Sequence, residues 1–259
     1  MKWLLIISTF AIVACSGFAG EKKSEKNKKI IAKKMSGSFS GFALLELFTS
    51  EGCSSCPAAD RLLPQLAAEN PNIIPLSMHV DYWNHLGWTD PFSNAEFSER
   101  QSLYAAQFHL ESIYTPQLIV NGEYELVGSN RTAADQDIKK VLNEKAGVEI
   151  TIDEIKKQDG KLSIRSTLTG DVSGTQLIAA LVQKHADMKV RAGENNGAHL
   201  SHTNVVRSYI QKPAQQKMSF EVAVPHDVTK DNLQVVLFTQ QNASLKITGA
   251  AVSVVGSGQ

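Results

Sequence analysis

The order of apolar patterns along the chain predicts an α/β domain followed by an all-β, sandwich-like domain. Two observations carry that prediction. Between residues 42 and 146, short apolar runs alternate with stretches of helical period. From Gly147 onward, short alternating segments are parted by turn residues. A third observation marks a site: GCSSCPAAD, residues 52–60, places two cysteines three apart between the first apolar run and the first helical stretch.

With 259 residues, 42% of them hydrophobic, the chain can bury one large core or two modest ones. The formal net charge is zero, which gives no electrostatic case for a nucleic-acid partner, and none is expected. The charges are unevenly spread. Between Glu21 and Lys34 lie seven lysines and two glutamates, so the remainder is mildly acidic.

The N-terminus reads as a targeting segment. Lys2 is followed by WLLIISTFAIVA, a mainly apolar run of twelve residues, too short to span a bilayer and suited to a signal sequence. Ile12-Val13-Ala14-Cys15 resembles a bacterial lipobox, which makes residues 1–14 a lipoprotein signal peptide and Cys15 the lipidated residue. That accounts for the odd third cysteine. Cleavage after Ala19 is the alternative and gives a soluble secreted protein. Residues 15–41 are rich in Lys, then in Ser and Gly, and read as a tether. The lysines are also of a kind drawn to anionic headgroups. The expected location is the periplasmic side of the cell envelope, with a lipid anchor as the membrane contact.

The first domain is expected over residues 42–146. FALLELF, 42–48, suits a buried strand, and Leu62, Leu63 and Leu66 lie at helical spacing in a helix from about Ser54 to Glu69. Pro57 falls in its first turn and Pro64 deeper, where a kink is expected. NIIPLSMHV, 72–80, reads as a parallel strand. Cys53 therefore sits at the N-terminus of a helix, where free N–H groups and the dipole favour a thiolate. Cys56, one turn on, can resolve a mixed disulfide. A C-x-x-C on such a turn reads as thioredoxin-like. That fold needs a proline opposite the cysteines, usually cis. Thr115-Pro116 supplies it, ahead of the strand QLIV, an Asn121-Gly122 hairpin turn and the return strand EYELV. A last helix is expected near Thr132–Glu144.

The stretch 81–113 is longer than a minimal version of this fold requires. Ser93 and Glu96 form a capping box for a helix carrying Phe97, Leu103 and Tyr104. Ahead of it, Asp81, Trp83 and Trp88 are candidates for a rim that selects substrate; a packed loop covering the helix is the alternative.

ELFTSEGCSSCPAADRLL, HVDYWNHLGWTDPF and YTPQLIVNGEYELVGSNR together resemble a thioredoxin-like family of secreted bacterial proteins catalogued as a domain of unknown function. The resemblance continues in RAGENNGAHLSHTNVVR, 191–207, and spans nearly everything from Phe42 onward. It implies a thioredoxin-like domain followed by an all-β domain, and names no substrate. A more distant likeness is to Omp28-like outer-membrane lipoproteins. The chain departs from thioredoxin at Gly52, where a tryptophan is usual, and at Ser54-Ser55, where Gly-Pro is usual. Glu46 is the one acid inside the first strand and the candidate proton acceptor for Cys56; packing against a basic partner is the alternative.

The second domain is expected over 147–259, from strands in VEITIDEI, KLSIRSTL, TQLIAALVQK, NVVRSYI, MSFEVAV, LQVVLFTQ and KITGAAVSV. RAGENNGAHLSHTNVVR, entering one of them, reads as a structural loop that packs on the first domain; sugar or peptide binding is an alternative, and His199 and His202 are weak metal candidates.

Three functions compete. The first is an envelope thiol–disulfide oxidoreductase with catalytic Cys53, Cys56, Thr115, Pro116 and Glu46, acting on protein thiols or disulfides and needing no cofactor. The second is a binding or structural module with an inert disulfide. The third handles copper or zinc through the cysteines with His79 or His85 as a third ligand. An oxidised pair is expected in an envelope and separates none of them.

Overall fold

The computed structural model describes residues 40–255. The predicted signal peptide, Cys15 and nearly all of the tether lie outside the described residues. Among those described, no helix is long and apolar enough to cross a membrane.

The chain forms β1 (Ala43–Thr49), α1 (Cys56–Glu69), β2 (Ile73–His79), a 3-10 turn (Asn84–Leu86), α2 (Ala95–Gln107), β3 (Gln117–Val120), β4 (Tyr124–Val127) and α3 (Arg131–Leu142). Seven strands follow: β5 (Val148–Gln158), β6 (Lys161–Gly170), β7 (Thr175–Lys189), β8 (His199–Pro213), β9 (Lys217–Ala223), β10 (Leu233–Gln241) and β11 (Ile247–Val254). A mixed eight-stranded sheet runs in the order β11-β10-β7-β8-β2-β1-β3-β4, and β5-β6-β9 form a second sheet.

The large sheet therefore crosses the boundary expected at residues 146 and 147. β1 and β2 pair in parallel from Ala43 opposite Ile73 to Thr49 opposite His79. The join to the later strands is narrow: β2 meets β8 at one register pair, Ser77 opposite Val205. Burial explains why the central strands read as continuous apolar runs. On β7, Leu177, Ala179 and Leu181 face the small sheet, while Ile178, Ala180 and Val182 face the layer that holds Phe97 and Tyr104 of α2. α1 and α3 cover the other face of β1 and β3, through Leu62, Leu63, Leu66, Ile138 and Val141.

Local details follow the chemistry of the sequence. Asn121 and Gly122 both have positive φ, 48° and 68°, as the expected hairpin turn requires. The cap of α2 differs from expectation. Asn94 caps the helix, accepting from the Glu96 N–H, while the Ser93 hydroxyl donates to the Asp90 carbonyl. Of the apolar residues expected on this helix, Phe97 and Tyr104 are buried and Leu103 is 58% exposed, because the helix packs through Phe97, Arg100, Gln101 and Tyr104.

Candidate active site

β1 delivers the chain into a tight turn, and α1 carries it away. The Cys53 N–H donates to the Ser50 carbonyl at 3.2 Å and the Cys56 N–H to the Cys53 carbonyl at 3.3 Å. Cys53 and Cys56 are joined as a disulfide. They are 1% and 0% exposed, although Ser54 and Ser55 between them are on the surface. The first turn of α1 holds no acidic residue, so nothing within it cancels the positive end of the dipole. Gly52 has a steric reason to lack a side chain: a Cβ there would lie 3.0 Å from Trp83 Cβ.

The Thr115-Pro116 bond is cis, as expected. Ser55 ties it to the cysteines. Its hydroxyl oxygen lies 3.3 Å from Cys53 Sγ and donates to the Thr115 carbonyl at 3.4 Å. Trp83 Nε1 donates to Thr115 Oγ1 at 2.8 Å, which places Trp83 on the proline side of the disulfide turn. Trp88 lies on the other side, donating from Nε1 to Glu51 Oε2 at 2.8 Å. Asp81 bonds instead to Ser98 of α2, through its backbone N–H and its carboxylate, and so holds the rim segment to that helix.

Glu46 is wholly buried, but its carboxylate is not free. Arg100 Nε donates to Oε1 at 2.6 Å and Arg100 Nη2 to Oε2 at 3.1 Å, and the Tyr104 hydroxyl also bonds to Oε2. Burial raises the Tyr104 hydroxyl well above its ordinary pKa. This is the basic-partner alternative for Glu46. Of the predicted histidines, His85 is exposed with Nδ1 2.7 Å from the Tyr82 carbonyl oxygen, and His199 is exposed at the start of β8. Among the described residues, no three His, Cys, Asp or Glu side chains are arranged to hold a metal ion.

Around the turn the chain gathers further buried groups; His79 and His202 were expected only as metal candidates, and Asp60, Asp90 and Glu51 were not singled out. Asp60 lies four residues after Cys56 on the buried face of α1, and its Oδ1 accepts from Thr49 Oγ1 at 3.0 Å. His202 of β8 lies with Nε2 3.3 Å from Glu51 Oε1 and Nδ1 3.8 Å from Asp60 Oδ2. Burial works against a charged imidazole, but the two carboxylates outweigh it and push His202 up to about 10. His79 Nδ1 lies 2.7 Å from Asp90 Oδ2, which also accepts from the Glu51 N–H. Burial would raise the Asp90 carboxyl, and His79 with the backbone donors brings it below the ordinary range. The His79 and His202 rings meet edge to face at 4.6 Å.

The loop between β7 and β8 closes over the turn. Asn195 Nδ2 donates to the carbonyls of Glu51 and Cys53, each at 2.9 Å, and the Ser54 N–H donates to Glu194 Oε2 at 3.1 Å. Gly193 lets this loop seat on Trp88, since a Cβ would lie 3.2 Å from Trp88 Cβ. Asp60 was missed, although an acid on the apolar face of α1 was a signal that could have found it. His202, Glu194 and Asn195 arrive from some 140 residues away; packing of their segment on the first domain was expected, but no local pattern reports which residues they meet.

A C-x-x-C disulfide on a strand-to-helix turn, beside a cis-proline and inside a mixed sheet, defines the class. The chain belongs to the family described as Protein of unknown function (DUF1223), whose model matches residues 44–240. A crystal structure of a protein from Agrobacterium tumefaciens is 26% identical, covers 86% of this chain and 98% of its own, and superposes with a TM-score of 0.65. HBP35 of Porphyromonas gingivalis shares the fold at 16% identity, covering 84% of this chain and 76% of its own, with a TM-score of 0.57. A domain of the outer membrane lipoprotein Omp28 from the same organism covers 42% of this chain and 94% of its own, at 13% identity and a TM-score of 0.28, a likeness too slight to bear on function. No curated protein matches the sequence.

Proposed function

We propose that the protein is a thiol–disulfide oxidoreductase of the bacterial cell envelope. The reading takes residues 42–146 as a thioredoxin-like unit, carrying the Cys53–Cys56 pair, and residues 147–259 as a β-sandwich-like unit. The observation that carries it is the link from Cys53 Sγ through Ser55 Oγ to the carbonyl beside the cis-proline. That carbonyl lies where an extended partner chain could hydrogen-bond while its sulfur meets Cys53.

In this reading a partner thiolate attacks Cys53 Sγ. The Cys53–Cys56 bond breaks and its electron pair leaves on Cys56. A second partner thiolate then attacks the mixed disulfide and releases Cys53 as a thiolate stabilised by the helix N-terminus. The partner leaves as a disulfide, oxidised by two electrons; in the reverse sequence the Cys53 thiolate attacks a partner disulfide, Cys56 displaces it, and the partner leaves reduced to a dithiol as the Cys53–Cys56 bond re-forms. Trp83 and Trp88 flank the turn as a rim. The lipobox-like Cys15 supports anchoring at the periplasmic side. The proton-acceptor role expected of Glu46 passes to a group that Arg100 does not hold.

A second reading has an observation of its own. Both cysteines are at most 1% exposed, which favours an inert staple. Equilibration in glutathione buffers separates the two. A potential between about −270 and −120 mV, with transfer lost in Cys53→Ser, supports the oxidoreductase. A pair that stays oxidised well below about −300 mV leaves the staple.

A further inference from the structure

Five ionisable side chains lie buried behind the disulfide turn: Glu51, Asp60, His79, Asp90 and His202 are all at most 5% exposed. Burying so many charges is costly and is weak evidence for stability. Glu51 Oε1, Asp60 Oδ2, His79 Nε2 and both ring nitrogens of His202 also lack a hydrogen-bond partner. Buried polar atoms in native proteins are nearly always bonded, and a cluster of exceptions marks a place where protons or ligands are handled.

Its position says whose proton it is. Helical side chains lean toward the N-terminus, so Asp60 covers the turn that contains Cys56. Asp60 Oδ2 faces His202 Nδ1. The i, i+4 spacing thus puts Asp60 on the same buried face of α1 as Cys56, one turn on, while its Oδ2 faces an imidazole that also has Glu51 beside it. We infer that His202, acting through Asp60, is the proton store of the disulfide: its proton passes to Cys56 Sγ as that sulfur leaves, and returns when Cys56 is oxidised. The inference rests on the redox reading of Cys53 and Cys56. His202 is a positioning residue in this scheme, because it acts on the sulfur through Asp60.

The proton balance closes with a dithiol as partner. Two partner thiols lose two electrons to the Cys53–Cys56 bond and two protons to solvent, while Cys56 takes the proton of His202 and Cys53 stays a thiolate. The affinities also match. A thiol titrates near 8.5 and higher when buried. An imidazole held near 10 can therefore give a proton to a buried thiolate and take it back without a large uphill step. The groups facing His202 are Glu51 from the turn, Asp60 from α1, the His79–Asp90 pair from β2 and the following loop, and Asp187 of β7, which feels its charge. Four of these are carboxylates, and the arrangement favours the protonated ring across neutral pH.

The test is the rate of disulfide reduction by dithiothreitol between pH 6 and 11, in wild type, His202→Gln and Asp60→Asn. Both variants should be slower by about 10- to 100-fold at pH 7. Both should converge on wild type above about pH 10, where the wild-type ring has also lost its proton. An unchanged rate at pH 7, or a deficit equal at every pH, overturns the inference. A wild-type disulfide that dithiothreitol cannot open in the folded protein fails the redox reading instead, so the two failures are distinct. If the His202 variant does not fold, the wild-type imidazole is followed by NMR. Its signals should shift on reduction and stay still in Asp60→Asn, and a ring that ignores the redox state overturns the proposal.

Discussion

Glu46 and Glu51 are five residues apart, one inside β1 and one just beyond it, and neither reaches solvent. Their surroundings differ in kind. Around Glu46, Arg100 donates to both carboxylate oxygens, Arg100 Nη1 donates to Gln240 Oε1 at 3.0 Å, and Gln240 Nε2 donates to Tyr104 Oη at 2.8 Å. Every side-chain oxygen and nitrogen of that group is engaged. Around Glu51, one carboxylate oxygen and both nitrogens of His202 have charged neighbours but no hydrogen bond. The filled network joins α2 to β1 and β10 and has no capacity left for a reaction. The open one lies behind the disulfide turn. Buried charge alone therefore does not mark a functional site; buried charge with bonding capacity to spare does.

The largest effect that would sharpen this contrast is at Arg100. Arg100→Met leaves Glu46 buried without its cation, and a loss of about 4 kcal/mol is expected in urea denaturation. A joint replacement of Glu46 and Arg100 by apolar residues of similar volume should cost much less. Disulfide reactivity in refolded protein should be unaltered by either change. A reactivity change as large as that of His202→Gln would erase the distinction between the clusters.

The pH dependence of stability comes next. His202 is raised from 6.5 to about 10 by folding. A raised basic group adds stability that is complete below pH 6.5 and fades as pH climbs through 10. Wild type should lose about 4 kcal/mol over that window, read as a falling Tm, and His202→Gln should show a flatter profile. A wild-type Tm that holds steady from pH 7 to 10 would mean that the ring is already neutral.

The same contrast explains what the sequence could tell. The strands were legible because β7 and β10 are buried on both faces and read as unbroken apolar runs, while β6 alternates. The cysteines, the cis-proline and the hairpin turn were legible because each needs a particular residue type at a fixed offset. Glu46 was legible as a buried acid, but Arg100 lies 54 residues away and its arrival depends on how α2 packs. His202 reaches Glu51 because β8 joins β2 at a single pair, a contact with no local signature. For the same reason, the expected boundary at residue 147 hid a sheet that continues across it. The cap of α2 moved from Ser93 to Asn94 because Asp90 offers the serine hydroxyl a competing acceptor.

A smaller effect is expected at Asn195. Its amide joins the carbonyls of Glu51 and Cys53, and Asn195→Ala removes both bonds. About 1 to 2 kcal/mol of stability should be lost. The disulfide should also become more open to reduction by a protein dithiol than by a small one, since the loop no longer holds the turn closed. Equal acceleration with both reductants would show that the loop is a brace and no barrier.

The smallest effect, and the one that tests the open side of the site most directly, is at Glu194. Its carboxylate accepts the Ser54 N–H, one of the free donors at the start of α1. After reduction it is a negative charge close to the Cys53 thiolate, and it occupies a donor that the thiolate could use. Both effects oppose the thiolate. Glu194→Gln should therefore raise the thiolate fraction of Cys53 about two- to fivefold at a given pH. A more stable reduced form makes the disulfide a stronger oxidant, so its potential should move up by about 10 to 20 mV. The shift should shrink in 1 M salt, because Glu194 is exposed and its field is screened there. His202, sealed from solvent, should keep its effect in the same salt. A Glu194→Gln shift that persists at high salt would mean that the loop acts through its hold on the backbone. The charge of Glu194 would then be incidental.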